Sequence, residues 1–334
     1  MSKLSFFRAV NVKRLVVPVT MAAIEHAFTI QREARDAEDH LADEDGLIYE
    51  AKGLYFTTPT PYQNYTFGFA CPLQIYALGT DGSWMLNFKY AERKVNSTAV
   101  SQSVEKAKTQ FLATQFRAMT KNEIQETKES IISEMLPVAP VIEVPVKLYY
   151  HGQSQLLICD HPKLAGAAFT MLMKLIGTLE TETIHVHEVK NTIAQNLLKA
   201  LKDGADLALG RFGYGSKLHL KSSDAESKRE AKYTEDYYHD HVRELLEEGF
   251  KVMKVRLTSR GMAFDLSHDY KMTAITFNDG LDFEQFEGED LDDQLEYELS
   301  VAEMQLDMIA EMVVDLTTIV KSEAARIEQE ANKK

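Results

Sequence analysis

Residues 250–277, FKVMKVRLTSRGMAFDLSHDYKMTAITF, decide the fold class of this chain. Val252, Val255 and Leu257 mark a first apolar strand, Met262 to Leu266 a second and Met272 to Phe277 a third, with Gly261 and His268-Asp269 where the chain must reverse. Short β-branched and aromatic runs divided by turn residues predict an antiparallel meander, since a tight turn returns a strand beside its predecessor. Beyond the meander the period changes. From about Ser300 to Ile327, Val301, Met304, Met308, Met312, Leu316 and Ile319 recur at helical spacing, a stripe that serves as core more often than as a cofactor box.

The preceding chain repeats this segregation. Val144, Val146, Leu148 and Tyr150 fall on one face at period two, His151-Gly152-Gln153-Ser154 turns the chain, and Leu156–Cys159 brings it back, so a β-hairpin is expected. A helix over about Pro162–Leu179 is apolar nearly all round and should lie buried against a sheet. Earlier, a strand at Ser83–Tyr90 leads into two helices. The first, within Ala99–Thr120, carries Val100, Val104, Ala107, Phe111 and Ala118; the second starts at Asn122, with Gln125 three residues on, and runs to Pro137. A helical hairpin is predicted there, and a first strand near Val10–Val19. Helices and antiparallel strands in separate runs specify an α+β fold and argue against a doubly wound parallel sheet.

The length of 334 residues allows one large or two ordinary domains, and 45% hydrophobic with 26% charged residues is a globular composition. Cys71 and Cys159 are the only cysteines, too few for a disulfide framework or a Cys-rich zinc site, and suit a reducing cytoplasmic setting. Lys3, Arg8, Lys13 and Arg14 precede an apolar stretch from Leu15 to Ile24 in the order of a secretory signal, but Pro18 interrupts it and it is too short to span a bilayer. The net charge of −14 is unevenly placed: 14 acidic residues lie between Asp279 and Asp315, and no Lys or Arg occurs between Met272 and Val320. With those set aside, the remaining acidic residues balance the 37 Lys and Arg, so local basic surfaces stay available to phosphates.

Several constellations invite chemistry. His185-Val186-His187 would put two imidazoles on one face of a strand, but spacing supplies no third metal ligand, and His239-Asp240-His241 points to different sides of a helix. The acidic run from Asp279 to Asp293 could hold the two metal ions of a nuclease, although it lacks EF-hand spacing and reads first as a solvated loop. Gly210-Arg211-Phe212-Gly213-Tyr214-Gly215 lacks the Gly-Lys-Ser/Thr ending of a phosphate loop; it reads as a flexible turn before a strand, or as a loop meeting a DNA backbone. Two segments are locally basic, Lys89–Lys121 at a net +5 and Lys199–Lys232 at a net +3. No catalytic residue, cofactor or metal ligand is assigned.

The order of several segments resembles the RdgC family across most of the chain. Phe6 to Leu15 is similar to the family's first strand, and Glu92-Arg93-Lys94-Val95 with the helix to Glu105-Lys106 resembles its Glu-Lys-Lys-Ile stretch. Lys128 to Pro137 looks like the helix ending in Leu-Leu-Pro. The hairpin into Leu157-Ile158-Cys159-Asp160, the helix ending Ile176-Gly177-Thr178-Leu179, and Tyr233-Thr234-Glu235-Asp236 before a helix that stops at Glu248-Gly249 add further matches. Val138 and Pro140 stand where many relatives carry Arg and Phe. Glu230-Ala231-Lys232-Tyr233-Thr234 replaces a more basic stretch, with Lys228 and Arg229 displaced upstream, and the aromatic stretch Tyr49–Tyr76 has little counterpart.

The resemblance implies a crescent-shaped subunit: a central body from 1–90, 141–185 and 250–330, a helical gate arm at 91–140 and a tip arm at 186–249. It further implies a homodimer closing a ring around duplex DNA, sequence-independent binding, antagonism of RecA-type recombination, and a cytoplasmic, nucleoid-associated, non-enzymatic protein with no membrane partner. Lys94, Lys106, Lys217, Lys228, Arg229 and Lys232 are the expected phosphate contacts, and Leu136, Pro137, Val138 and Pro140 the expected dimer contacts. The competing expectations are a metal-dependent nuclease using 279–293 and an acidic module that mimics DNA.

Overall fold

The computed structural model describes residues 5–39, 54–70, 72–182, 197–198, 207–208, 212–224, 229–234, 239–268, 271–277 and 291–331. In chain order the elements are β1 (Ala9–Leu15), α1 (Met21–Asp39), β2 (Tyr65–Phe69), β3 (Ile75–Leu78), β4 (Ser83–Arg93), α2 (Ser97–Gln115), α3 (Lys121–Met135), β5 (Val141–His151), β6 (Leu156–Cys159), α4 (Ala165–Ile176), β7 (Thr181–Glu182), β8 (Leu207–Ala208), β9 (Phe212–Lys221), β10 (Glu230–Tyr233), α5 (His239–Glu247), β11 (Lys251–Ser259), β12 (Met262–Ser267), β13 (Met272–Phe277) and α6 (Leu291–Ala331). The fold is α+β, with antiparallel strand pairing and six helices among the described residues. None of those helices is long and apolar enough to cross a membrane. The chain forms two compact units, one of Met1–Ala27, Ile75–Leu86 and Lys147–Lys334, the other of Phe28–Gln74 and Asn87–Val146.

In the first unit the expected meander is present and forms part of a sheet of order β10-β9-β11-β12-β13-β1-β6-β5. Strand β1 joins its two halves, pairing Ala9 and Val10 with β13 and Asn11 to Arg14 with β6. One sheet face carries Leu218, Leu220, Val252, Val255, Phe264 and Leu266 into a single apolar cluster with Val242 and Leu245 of α5 and Leu306, Ile309 and Val313 of α6. Burying each such side chain is worth about 1.5–3 kcal/mol, which pins both helices to the sheet. Val252 and Val255 are three residues apart, yet both are buried; the register slips between Val252↔Leu220 and Lys254↔His219, so the extra residue restores the alternation.

In the second unit β2 pairs with the later part of β4, Tyr65↔Glu92 through Phe69↔Phe88. Phe67 stacks on Phe88 at 5.3 Å and Phe69 on Phe88 at 4.6 Å between ring centroids, while Phe28 meets both Phe69 and Tyr55 edge-on. Tyr55, Phe67 and Phe69 of the aromatic stretch without a family counterpart therefore form, with Phe28 and Phe88, a ladder of rings in this unit. Helices α2 and α3 form the predicted hairpin.

Several boundaries move for identifiable reasons. The first strand ends at Leu15 rather than Val19, and Thr20 caps α1 through a bond from Ala23 N at 3.2 Å. Helix α2 stops at Gln115 because Phe116 takes a left-handed conformation (φ 55°), leaving Ala118 outside it. Helix α3 starts at Lys121, not Asn122: Thr120 and Glu123 form the reciprocal cap, and the Glu123 carboxyl is held down at about 2, chiefly by the hydrogen bond from Arg117. The helix expected at Pro162–Leu179 spans Ala165–Ile176, and the terminal helix begins nine residues early at Leu291, with Met304 of the expected stripe exposed.

Candidate nucleic-acid interface

The Gly-rich sequence expected as a flexible turn is, from Phe212 onward, part of strand β9. Phe212 is buried in the core and Gly213 pairs with Thr258 of β11. Gly215 serves a packing purpose: a Cβ there would lie 2.6 Å from Arg256 Cγ, so the missing side chain leaves room for Arg256 to cross the sheet. Along the rest of β9, Leu218 and Leu220 are buried, which turns Lys217, His219 and Lys221 to the opposite face.

Cross-strand partners share a face, so the register extends this surface. Glu230 lies opposite Lys221 and Lys232 opposite His219 on β10, while Lys251 lies opposite Lys221 and Lys254 opposite His219 on β11. Arg256 joins them, donating to Asp265 Oδ1 at 2.8 Å, Ala274 O at 2.7 Å and Thr276 Oγ1 at 2.9 Å. Lys217, Lys221, Lys232, Lys251, Lys254 and Arg256 thus share the solvent face of one sheet with two carboxylates, Glu230 and Asp265. Burial would raise the Asp265 carboxyl, but hydrogen bonds from Arg256 and Lys254 outweigh it and hold it below its ordinary value. Glu230 is held down chiefly by Lys232 at 2.9 Å.

The expected phosphate contacts separate into groups. Lys217 and Lys232 are on this face, and Lys217 has no carboxylate within 4.0 Å among the described residues, whereas Lys232 is paired. Arg229 precedes β10, pairs with Glu248 at 3.3 Å and lies over the Phe250 ring at 5.2 Å. Lys228 lies outside the described residues, as do Arg211, His185, His187 and 279–290. Lys94 and Lys106 are exposed in the second unit. Lys221, Lys251 and Lys254 were not among the expected contacts; alternation of Lys with apolar residues in KLHLK signals Lys221, whereas Lys251 and Lys254 stand three apart and share a face only through the register slip of β11.

The apolar run after α3 is only partly available to a partner. Leu136 is buried, while Val138 is 85% exposed and Pro140 is exposed. Arg93 organises this segment, its guanidinium donating to Pro59 O at 3.1 Å, Thr60 O at 2.9 Å and Ala139 O at 3.0 Å.

His151, between Ser154 Oγ at 2.7 Å and Asp307 Oδ1 at 3.2 Å, has the order of a nucleophile-activating array. Ser154 N also donates to its Nδ1, so the ring closes the β5–β6 turn as an acceptor and hands its other nitrogen to α6. His241 of the second His pair is exposed beside Glu244. Among the described residues no group of three or more His, Cys, Asp or Glu converges as a metal site would.

A model of the family described as "Putative exonuclease, RdgC" matches residues 37–323. No curated protein matches the chain.

Proposed function

The chain belongs to the RdgC family, and from that premise we propose that it is a sequence-independent DNA-binding protein that holds duplex DNA without cutting it and restrains RecA-type recombination. Family membership supports the coarser statement, a DNA-binding role connected with recombination. The observation that carries the finer reading is the sheet face with six cations and two carboxylates. Such a face offers phosphates a row of positive charges at strand spacing and offers bases no directed hydrogen-bond pattern, so it favours backbone contact over sequence readout. A pair of subunits closing a ring with such surfaces inward would occupy the duplex and deny it to a recombinase filament, an inhibition that needs no chemical step.

The decisive measurement is binding to two unrelated duplexes at several salt concentrations, with and without magnesium. Lys217→Ala/Lys251→Ala should weaken both duplexes equally and flatten the salt dependence by about 0.9 for each phosphate left without its cation, while Arg229→Ala/Lys232→Ala, whose cations already have carboxylate partners, should do less. Unchanged affinity and slope in the first variant would remove the sheet face from the interface. Magnesium-dependent shortening of the DNA would replace the non-cleaving reading with a nuclease.

A further inference from the structure

The aromatic ladder of the second unit does not end in the core. Phe69 is fully buried, but at the other end Tyr65 is 63% exposed, with Tyr90 beside it at 6.1 Å between ring centroids and tilted by 36°. These two rings open into a cavity of about 370 Å³ whose wall also includes Asn64, Glu92, Arg93 and Lys128. Tyr90 donates its hydroxyl to Glu92 Oε2 at 2.9 Å, which raises the phenol to about 12, with burial the largest cause, and keeps it a donor at all ordinary pH. Among the described residues Arg93 bonds only main-chain carbonyls, so its charge is spread over dipoles but not cancelled. Lys128 is exposed and has no carboxylate within 4.0 Å among the described residues.

A solvent-facing aromatic ring, a carboxylate and two cations in one cavity match the parts of an unpaired nucleotide. The ring supplies a sequence-tolerant stacking platform, the cations suit the adjoining phosphate, and Glu92 can accept from an exocyclic amino group. Small-molecule sites begin at about 300 Å³, so this cavity is on the scale of one nucleotide and too small for stacked base pairs. A peptide ring would also stack, but it would carry no exocyclic amino group to meet Glu92.

We propose that this cavity binds a single unpaired nucleobase, stacked on Tyr65 with its phosphate toward Lys128, and that it favours amino-bearing bases over thymine. The inference deepens the DNA-binding reading and rests on it for its biological setting: beside duplex contacts, the protein would register a frayed end, gap or displaced strand.

The probe is a trinucleotide with a central 2-aminopurine, whose fluorescence is quenched by stacking, titrated against the full chain in parallel with a fluorescein-labelled duplex. Quenching is expected with the wild type and Tyr65→Phe, about tenfold weaker binding with Tyr65→Ala, and weaker binding with Lys128→Ala that higher salt reproduces in the wild type. Melting temperature reports whether each variant is folded. Duplex affinity should be the same for wild type and Tyr65→Ala. No quenching by the wild type, or equal quenching by a folded Tyr65→Ala, overturns the pocket whatever the duplex does. Quenching with the expected order of variants but without any duplex binding supports the pocket and overturns the duplex reading instead.

Discussion

Asp160 shows how one buried carboxyl can set a pH dependence. Its Oδ1 accepts Lys147 N at 2.8 Å, yet burial is the larger influence and lifts the group from 3.8 to about 7. A carboxyl whose folded value exceeds its unfolded value favours folding while protonated, so its contribution is complete below about 4 and is lost as pH rises through about 7. Asp160→Asn keeps the acceptor and removes the titration. Urea unfolding at pH 5 and pH 8 should therefore show the variant gaining on the wild type at the higher pH; a difference that does not change with pH would mean that the carboxyl stays charged throughout. Asp265 behaves in the opposite sense, since Arg256 and Lys254 stabilise its charge and their help fades in acid.

At the scale of elements, close backbone approach explains what ring stacking alone cannot. Phe69 N donates to Leu54 O at 2.7 Å and Phe56 N to Phe69 O at 2.9 Å, so the segment 54–56 runs against β2. Gly68 makes that approach possible: a Cβ there would lie 2.4 Å from Phe56 N and 2.5 Å from Tyr55 C, both backbone atoms that cannot swing away. Gly68→Ala should cost about 3 kcal/mol, measured by denaturant unfolding, because overpacking against main chain forces the strands apart. Stability within error of the wild type would show that the segment yields without consequence. Gly215 sets a milder constraint, since the atom in its way belongs to the Arg256 side chain.

At the scale of the molecule, charge is separated within the first unit. The chain carries −14 overall, yet its β9–β11 face is cationic, while the acidic residues of α6 include Asp307 beside His151, and Glu311 and Asp315 beside Arg260. Of the 14 acidic residues between Asp279 and Asp315, the eight from Asp292 onward thus lie on a helix whose other side is core. The ring proposed for this family member requires two copies. Sedimentation at micromolar concentration should give a dimer, and Val138→Asp, which charges a residue 85% exposed after α3, should shift it toward monomer without unfolding it. A monomeric wild type would remove the ring, though not the cationic face.

The sequence by itself determined the kinds of element. The meander at 250–277 and the helical stripe after Ser300 were legible because a period of two or 3.6 residues is printed directly on a chain that buries mainly one face, and the hairpin at Val144–Cys159, buried on both faces near its turn, was legible from that turn and its apolar runs. Family order was legible for a related reason, since helix ends and turns leave short local signals. Tertiary structure alone decided the rest. Val252 and Val255 share the core only because β11 slips against β9, a relation between strands far apart in sequence. Lys221, Lys251 and Lys254 become one surface only when β9 lies beside β11, so net charge counted along the chain could not find them. Whether a cation is free or spent depends on whether a partner such as Asp265 or Glu248 folds to within 4 Å of it, and distance in space is not a property of sequence spacing.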